Sequence, residues 1–292
     1  MTAAIAAPAT KPAFKLDFFR PVFIALVVVL AVLVVLPLGW LLYYSLVDKS
    51  GAFTTANFAA LVNDVTLRRP FLLAIGMALA VGVASCAVAT PLAWLASRTD
   101  LPGRRLVRAL VMASFVTPPF LGAIAWEILA APNSGLINVL YRYLTGAQDF
   151  QKIVDIYTFT GLVFAISCYT FPYVFTLVAN GLDNVPSDLE DASSILGGRP
   201  STTLRKITIP LVLPAMLAGS LIAILQALTM FGSPAILALP AGFHVITTKI
   251  WSLFQFPPRL GLAAASALPL LIITVILLRA QSHPHRFTPR LP

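Results

Sequence analysis

Apolar residues along this chain gather into long runs that are separated by short polar segments. A membrane-spanning helix needs about 20 apolar residues, and six windows meet or approach that length. Formal charge falls inside these windows only at Arg108 and Glu127. The pattern therefore predicts an all-α, polytopic membrane protein with six transmembrane helices. The windows are 21–47, 70–97, 106–131, 156–180, 211–231 and 260–278.

Composition and charge agree with a membrane location. Of the 292 residues, 59% are hydrophobic and only 11% are charged, too little polar material to cover a soluble globule of this size. If the N-terminus lies inside, about two thirds of the 20 Lys and Arg residues fall on the cytoplasmic side, where basic loops are normally retained. Both termini are therefore predicted to be cytoplasmic. The net charge of +9 is spread over short membrane-flanking loops, so no nucleic-acid partner is expected.

Three regions follow from this pattern. Residues 1–20 form a predicted cytoplasmic leader, residues 21–279 the six-span domain and residues 280–292 a cytoplasmic tail. The first apolar window exceeds the roughly 7 to 15 residues of a signal-peptide core, so it is interpreted as an uncleaved anchor. Cys86 and Cys168 fall inside predicted spans, which favours burial as small apolar residues over a disulfide or a metal site.

A polar cassette lies between the fourth and fifth windows. It reads Asp191-Ala192-Ser193-Ser194-Ile195-Leu196-Gly197, then nine residues, then Ile207-Thr208-Ile209-Pro210.

The flanking residues predict how this cassette folds. Ser187 and Glu190 form a capping-box pattern that predicts a helix start. Gly197 predicts the helix end, because glycine readily takes the left-handed conformation. Pro200 predicts a second short helix, which ends before Pro210 leads into the fifth span. Two short helices at an angle are therefore expected on the cytoplasmic side, in the loop 181–210.

The cassette resembles the EAA loop of permeases in type I, binding-protein-dependent ABC importers. That pattern is Glu-Ala-Ala, three residues, Gly, nine residues, Ile, any residue, Leu-Pro, and the spacing here matches it position by position. Asp191 replaces Glu, Ser193 replaces the second Ala and Ile209 replaces Leu. The resemblance implies a loop that couples the membrane helices to a separate ATPase. Its expected coupling residues are Glu190, Asp191, Ala192, Ser193, Leu196, Gly197, Ile207 and Pro210.

The same resemblance implies the partners. Since the chain contains no Gly-x-x-x-x-Gly-Lys-Ser/Thr segment, it is expected to be a transport subunit rather than an enzyme, with no cofactor of its own. ATP and Mg²⁺ would be held by an ABC ATPase subunit dimer. The other implied partners are a periplasmic or extracellular substrate-binding protein, the lipid of a bacterial inner membrane and a second permease half. That half would be a second copy or a homologue, unless this chain is the N-terminal half of a longer permease.

Several cargoes and one other class of transporter stay open. Segments 117–126 and 231–251 resemble the ferric-iron branch of these permeases, which implies iron as the cargo. Permeases for polyamines, thiamine, phosphonates, molybdate or sulfate share the architecture. A proton- or sodium-driven secondary transporter is the alternative of a different class. Such a protein would need ionisable residues inside its bundle, and the windows offer only Arg108 and Glu127.

Two proline sites fall within predicted spans, Thr117-Pro118-Pro119 in the third and Phe171-Pro172 in the fourth. Proline removes a backbone donor and leaves a carbonyl group free at membrane depth. Each site predicts a kink that either lines the translocation pathway and flexes or only serves packing. The pathway candidates are Ser114, Thr117, Pro118, Pro119, Tyr169 and Pro172.

Other features concern the outer side. Glu127 lies about 6 Å from the outer end of its window, so an interfacial carboxylate is favoured over a proton relay or a substrate ligand. Loops 132–155 and 232–259 carry amphipathic stretches that predict short interfacial helices. Segment 231–237 contains Gly and Pro and is interpreted as a periplasmic gate or a re-entrant turn.

Overall fold

The computed structural model describes residues 19–48, 50–148, 150–186 and 188–282. Regular structure within them is helical apart from an isolated bridge between Val47 and Phe53. Most of the predicted leader and tail lies outside the described residues. The helices are α1 (Phe19–Ser45), α2 (Ala56–Asn63), α3 (Val65–Arg98), α4 (Arg104–Val116), α5 (Pro119–Ala130), α6 (Leu136–Thr145), α7 (Phe159–Asp183), α8 (Asp188–Ile195), α9 (Pro200–Thr203), α10 (Ile209–Thr229), α11 (Gly232–Leu237), α12 (Ile246–Phe254) and α13 (Leu260–Ser282).

Five helical segments of the described chain are long and apolar enough to cross a bilayer. They confirm the first, second, fourth, fifth and sixth predicted windows, and with them the all-α membrane architecture. The segments are Arg20–Ser45, Val65–Arg98, Phe159–Asp183, Pro200–Thr229 and Leu260–Arg279.

The third window is a broken pair of helices rather than one kinked span. Its halves, α4 and α5, are bent by 102° relative to each other. They have 13 and 12 residues, so at 1.5 Å per residue neither alone crosses a hydrocarbon core of about 30 Å. Thr117 and Pro118 are extended, with ψ of 122° and 128°, because a residue that precedes proline is pushed out of the helical region. Two consecutive pre-proline residues therefore turn the expected kink into a sharp corner.

At Phe171-Pro172, where a kink was predicted, α7 is continuous with Pro172 inside it. Proline cannot donate to the carbonyl four residues earlier, which here belongs to Cys168. That carbonyl instead accepts a hydrogen bond from Ser114 Oγ of α4 at 2.9 Å. A donor from a neighbouring helix thus allows α7 to continue.

Helices α3, α7 and α10 pack against one another more extensively than any other described elements and form the core. Glycines bring them close together. A Cβ added to Gly82 of α3 would lie 2.5 Å from the Ile224 side chain of α10, and one at Gly219 of α10 would lie 2.7 Å from Val174 Cα of α7. Small residues are the usual means of close helix packing in a membrane, where lipid is as apolar as the side chains.

α1 lies beside this core and packs along α13. None of its apolar window is buried within the described chain. A helix that is apolar all round requires lipid or another protein around it, so the faces of α1 that do not contact α13 meet one of these.

The bundle has two ends. The α8 end carries α8, the last residues of α3 and α7 and the first residues of α10. The opposite end carries α2, α6, α11 and α12. The short helices predicted in loops 132–155 and 232–259 are confirmed, since α6 and α12 form there, while their placement at a membrane interface stays a prediction.

Candidate functional site

The cassette forms an elbow at the α8 end, and its predicted helix stop is confirmed. Gly197 has a φ of +79°, the left-handed conformation that favours glycine. The N–H groups of Gly197 and Gly198 donate to the carbonyl oxygens of Ser194 and Ser193 at 3.0 and 2.8 Å. This pair of bonds is a Schellman motif, which satisfies carbonyl groups at the end of α8.

Side chains tie the two arms of the elbow together. Ser193 Oγ of α8 lies 2.7 Å from Thr203 Oγ1 of α9. Thr208 Oγ1 donates to Glu190 Oε1 at 2.7 Å. A Cβ at Gly198 would lie 2.8 Å from the Ser193 carbonyl oxygen, so only glycine permits this close return of the chain. The elbow is therefore a unit with internal bonds rather than a free loop.

The second arm is not a separate short helix, contrary to the prediction. α9 begins at Pro200 as expected, but it continues through a π-helical turn at Leu204–Thr208 directly into α10. Pro210 therefore lies inside one continuous helix. A proline ring collides with the carbonyl four residues earlier in a regular helix. The wider π turn immediately before Pro210, closed by the Ile209 N–H to the Leu204 carbonyl, relieves that collision.

A half-buried arginine connects the elbow to the membrane helices. Arg98, the last residue of α3, donates through Nη2 to the carbonyl oxygens of Leu182 and Val185 at 2.8 and 2.7 Å. Its Nε lies 3.6 Å from Glu190 Oε1, and the two side chains are only 13% and 21% exposed. The positive charge also suits the C-terminal end of α7. One guanidinium thus joins α3, α7 and α8.

The tip of the elbow exposes apolar side chains. Ile195 and Leu196 are 85% and 87% exposed, and Leu189 is 47% exposed. The apolar positions of α8 thus form an unburied surface outside the span-length helices. A contiguous exposed apolar surface commonly marks a place where another molecule binds.

The expected coupling residues all lie on this elbow. Glu190 and Ser193 make the bonds given above, and Ile207 is half-buried in the π turn. Asp191, Ala192 and Pro210 are exposed, as are Leu196 and Gly197. The predicted cap Ser187 lies outside the described residues.

Two of the pathway candidates, Ser114 and Pro172, are brought together by packing. Ser114 Oγ donates to the Cys168 carbonyl, which lacks its usual backbone donor because of Pro172. Pro172 is buried within α7. These two residues therefore have a structural explanation, and a role in the pathway stays a prediction.

The other candidates lie around the α4–α5 corner. A Cβ at Gly122 of α5 would overlap the ring of Tyr169, which places that ring directly against the α5 backbone. The Pro119 carbonyl accepts from Ser233 Oγ of α11 at 3.1 Å. Thr117 and Pro118 are exposed at the corner itself. α5 is thus held between α7 and α11.

Glu127 has a defined partner near the opposite end. Tyr157 donates to Glu127 Oε1 at 2.5 Å. The pKa of Tyr157 is raised to about 12, mainly by desolvation and secondly by this hydrogen bond to a carboxylate. The phenol therefore keeps its proton and remains a donor at neutral pH. The Glu127 carboxylate thus has a hydrogen-bond donor from Tyr157, and its placement at the membrane interface stays a prediction.

Metal binding finds no support in the described part of the chain. No group of three or more His, Cys, Asp or Glu side chains comes close enough there to hold an ion. Cys86 and Cys168 are free thiols, and both are half-buried.

Sequence reasoning missed Arg98, Thr208 and Gly122. In the sequence, Arg98 is one of several basic residues that flank a predicted span. Thr208 occupies the position of the cassette where any residue is allowed. The signal for Arg98 was its place at the end of an apolar window, but its partners lie 84 and 87 residues away, which no local pattern reveals.

An all-helical bundle with this elbow defines a membrane permease fold, and comparison with protein families agrees. Residues 89–286 match the family described as binding-protein-dependent transport system inner membrane component. The matched region includes the whole elbow and most of the chain. The chain belongs to this family.

Named relatives show how far the similarity extends. The chain is 29% identical over 177 residues to the molybdenum transport system permease protein ModB of Mycobacterium tuberculosis, a match that covers 61% of this chain and 64% of that protein. It is also 29% identical over 189 residues to the sulfate transport system permease protein CysT of Salmonella typhimurium, covering 64% of each. The chain thus spans less than two thirds of the length of these relatives.

A solved structure shows the same fold. A chain of the bacterial alginate ABC transporter, determined in complex with an alginate pentasaccharide-bound periplasmic protein, superposes with a TM-score of 0.73. The superposition covers 91% of this chain and 93% of that chain, at 14% sequence identity. This likeness concerns the fold alone.

Proposed function

We propose that this chain is the permease subunit of an ABC importer, forming half of a translocation pathway and coupling it to ATP hydrolysis on a separate subunit. The observation that carries the proposal is the elbow. It combines a Schellman-capped helix, internal hydrogen bonds and an exposed apolar tip at Ile195 and Leu196. Membership of the binding-protein-dependent family supports it.

The elbow suits a docking joint for an ATPase groove. Ile195 and Leu196 project from a short, stopped helix, so they can enter an apolar groove of a partner, as in other helix-in-groove contacts. The glycine at the tip leaves space for close approach, since nothing lies within 4 Å of a Cβ at Gly197. Catalysis, ATP and Mg²⁺ belong to the partner in this proposal.

The orientation follows from charge. Basic loops favour the cytoplasm, and the α8 end carries Arg98, Arg104, Arg105 and Arg108. The α8 end and both termini are therefore assigned to the cytoplasm of a bacterial inner membrane. The opposite end then faces the periplasmic or extracellular substrate-binding protein, and α1 with the other unburied apolar faces meets lipid and a second permease half.

The cargo is a solute delivered by that binding protein. The relatives given above are named for molybdenum and sulfate transport, and the superposed structure is described as an alginate transporter. They favour no single cargo for this chain. Ferric iron, suggested by two short segments of the sequence, gains no support from these names. A gradient-driven transporter is not favoured either, because residues 89–286 match the binding-protein-dependent family.

The test is purification of tagged chain from membranes together with what remains bound. The variant Gly197→Trp places a large side chain in the open space at the tip of the elbow. We expect it to insert normally but to lose a co-purifying ATPase subunit, to stop transport and to abolish substrate-stimulated ATP hydrolysis.

The matched control is Gly51→Trp. Gly51 also has a positive φ, +85°, and nothing lies within 4 Å of its Cβ position, but it lies at the opposite end. Its variant should retain the ATPase. Normal transport by a correctly inserted Gly197→Trp chain would contradict the proposal, as would a wild-type chain that purifies from several mild detergents without an ATPase.

A further inference from the structure

α8 has little apolar anchorage of its own. No residue of α8 is buried, and its main neighbours are α9 and the π turn, the first residues of the Pro200–Thr229 segment, rather than α3 or α7. A helix that must pass movement to the membrane needs a contact that moves with it. Since apolar packing does not supply one, polar contacts must.

Glu190 supplies such a contact at a single oxygen atom. Its Oε1 accepts from Thr208 Oγ1 at 2.7 Å, where the second arm leads into α10. The same Oε1 lies 3.6 Å from Arg98 Nε. Arg98 in turn holds two carbonyl oxygens at the end of α7. The carboxylate therefore connects α8 to α10 directly and to α3 and α7 through one guanidinium.

Arg98 makes two short hydrogen bonds at the end of α7 and a longer contact with Glu190. Its Nη2 bonds to α7 are 2.8 and 2.7 Å long, whereas Nε is buried and has no hydrogen-bond acceptor among the described residues. The gap of 3.6 Å to Glu190 exceeds the usual range of about 2.7–3.2 Å for an N–H···O bond. A shift of α8 toward Arg98 by less than about 1 Å would therefore form this bond, while the two bonds from Nη2 persist.

We propose that Arg98, Glu190 and Thr208 form a transmission node, through which displacement of α8 reaches α3, α7 and α10. Glu190 and Arg98 are positioning residues in this role and touch neither cargo nor nucleotide. The low exposure of the pair limits screening by salt and water. The inference rests on the proposed function, because it assumes that an ATPase moves the elbow.

A neighbouring ion pair provides the comparison. Arg108 of α4 lies 3.3 Å from Asp183 at the end of α7, with side chains 42% and 45% exposed. It links two membrane helices at the α8 end, but it includes no residue of the elbow. Loss of this pair should leave transmission intact.

The experiment measures how accessible one reporter cysteine is at the end of the bundle opposite α8. Phe231, 41% exposed where α10 ends, is replaced by Cys in a chain that carries Cys86→Ser and Cys168→Ser. The permease with its bound ATPase is placed in nanodiscs. The rate of maleimide labelling is measured with and without ATP, Mg²⁺ and vanadate, beside ATP hydrolysis and the amount of bound ATPase.

In the otherwise wild-type complex we expect nucleotide to change the labelling rate several-fold. Glu190→Gln keeps the size of the side chain but removes its charge, so ATPase should remain bound and hydrolyse ATP while the nucleotide effect falls by more than half. Thr208→Val removes only the hydroxyl group and should lose part of the effect. Asp183→Asn should keep all of it.

The outcomes separate this inference from the proposed function. A nucleotide effect of wild-type size in both Glu190→Gln and Thr208→Val overturns the node. So does loss of bound ATPase in Glu190→Gln, which would make Glu190 a docking residue, or the absence of any nucleotide effect in a wild-type complex that holds the ATPase. A wild-type chain that binds no ATPase overturns the proposed function and the node together.

Discussion

Individual side chains decide where proline is tolerated inside these helices. Pro172 leaves the Cys168 carbonyl without its backbone donor, and Ser114 Oγ takes over at 2.9 Å. Pro210 follows a π turn that accommodates its ring. At Thr117-Pro118-Pro119 two consecutive pre-proline residues are extended, so the helix ends. One residue type therefore gives three backbone outcomes, according to what lies around it.

The bond between Ser114 and the Cys168 carbonyl is open to test. Ser114→Ala should lower the free energy of unfolding by about 1 kcal/mol, in line with hydrogen bonds between membrane helices. In a Pro172→Ala background the restored N–H group satisfies the same carbonyl, so Ser114→Ala should then cost close to nothing. The measurement is a double-mutant cycle of unfolding in mixed micelles.

The control for this cycle is Ser167→Ala. Ser167 Oγ bonds to the Val163 carbonyl of its own helix at 2.7 Å, a carbonyl that does not depend on Pro172. Its cost should be the same in both backgrounds. Equal costs for Ser114→Ala in the two backgrounds would contradict the proposed compensation.

At the scale of elements, α5 departs furthest from a regular membrane-spanning helix. It is short, sharply bent from α4 and clamped between α7 and α11. Gly122 permits its contact with α7, because a Cβ there would overlap the Tyr169 ring. The position of α5 thus depends on one glycine and one aromatic side chain of another helix.

Gly122→Ala should force the Tyr169 ring to move and should lower the thermal unfolding midpoint by several degrees. The same change in a Tyr169→Ala background should have a much smaller effect, because the ring is gone. Gly76→Ala is the matched control. At Gly76 the nearest atom to an added Cβ is 4.0 Å away, so alanine should be neutral or slightly stabilising through its higher helix propensity. A larger loss for Gly76→Ala than for Gly122→Ala would contradict the packing argument.

At the scale of the whole molecule, the orientation in the membrane can be tested with two glycines. Gly51 and Gly103 have φ of +85° and +79° with open space around them, and they lie at opposite ends of the bundle. In a chain with Cys86→Ser and Cys168→Ser, we expect Gly51→Cys to react with an impermeant maleimide in intact cells. Gly103→Cys should react only after permeabilisation. The reverse pattern would invert the assigned topology.

Some parts of the fold could be predicted from the sequence and others could not. The windows that became α1, α3 and α13 were predicted well, because run length against bilayer thickness is a local property. The end of α8 at Gly197 was also predicted, because a glycine at a helix end is likewise a local signal. The helix that runs through Pro210 was not, since its continuation depends on the widened turn just before that proline.

An all-helical membrane chain, the place of its elbow and, through the cassette, its family could be predicted without the structure. These follow from patterns within a few tens of residues. Only the packing of distant elements settled the clamp on α5 and the meeting of Arg98 with Glu190. Such contacts join residues far apart in the chain, and they form only when packed helices bring buried polar groups within hydrogen-bonding distance.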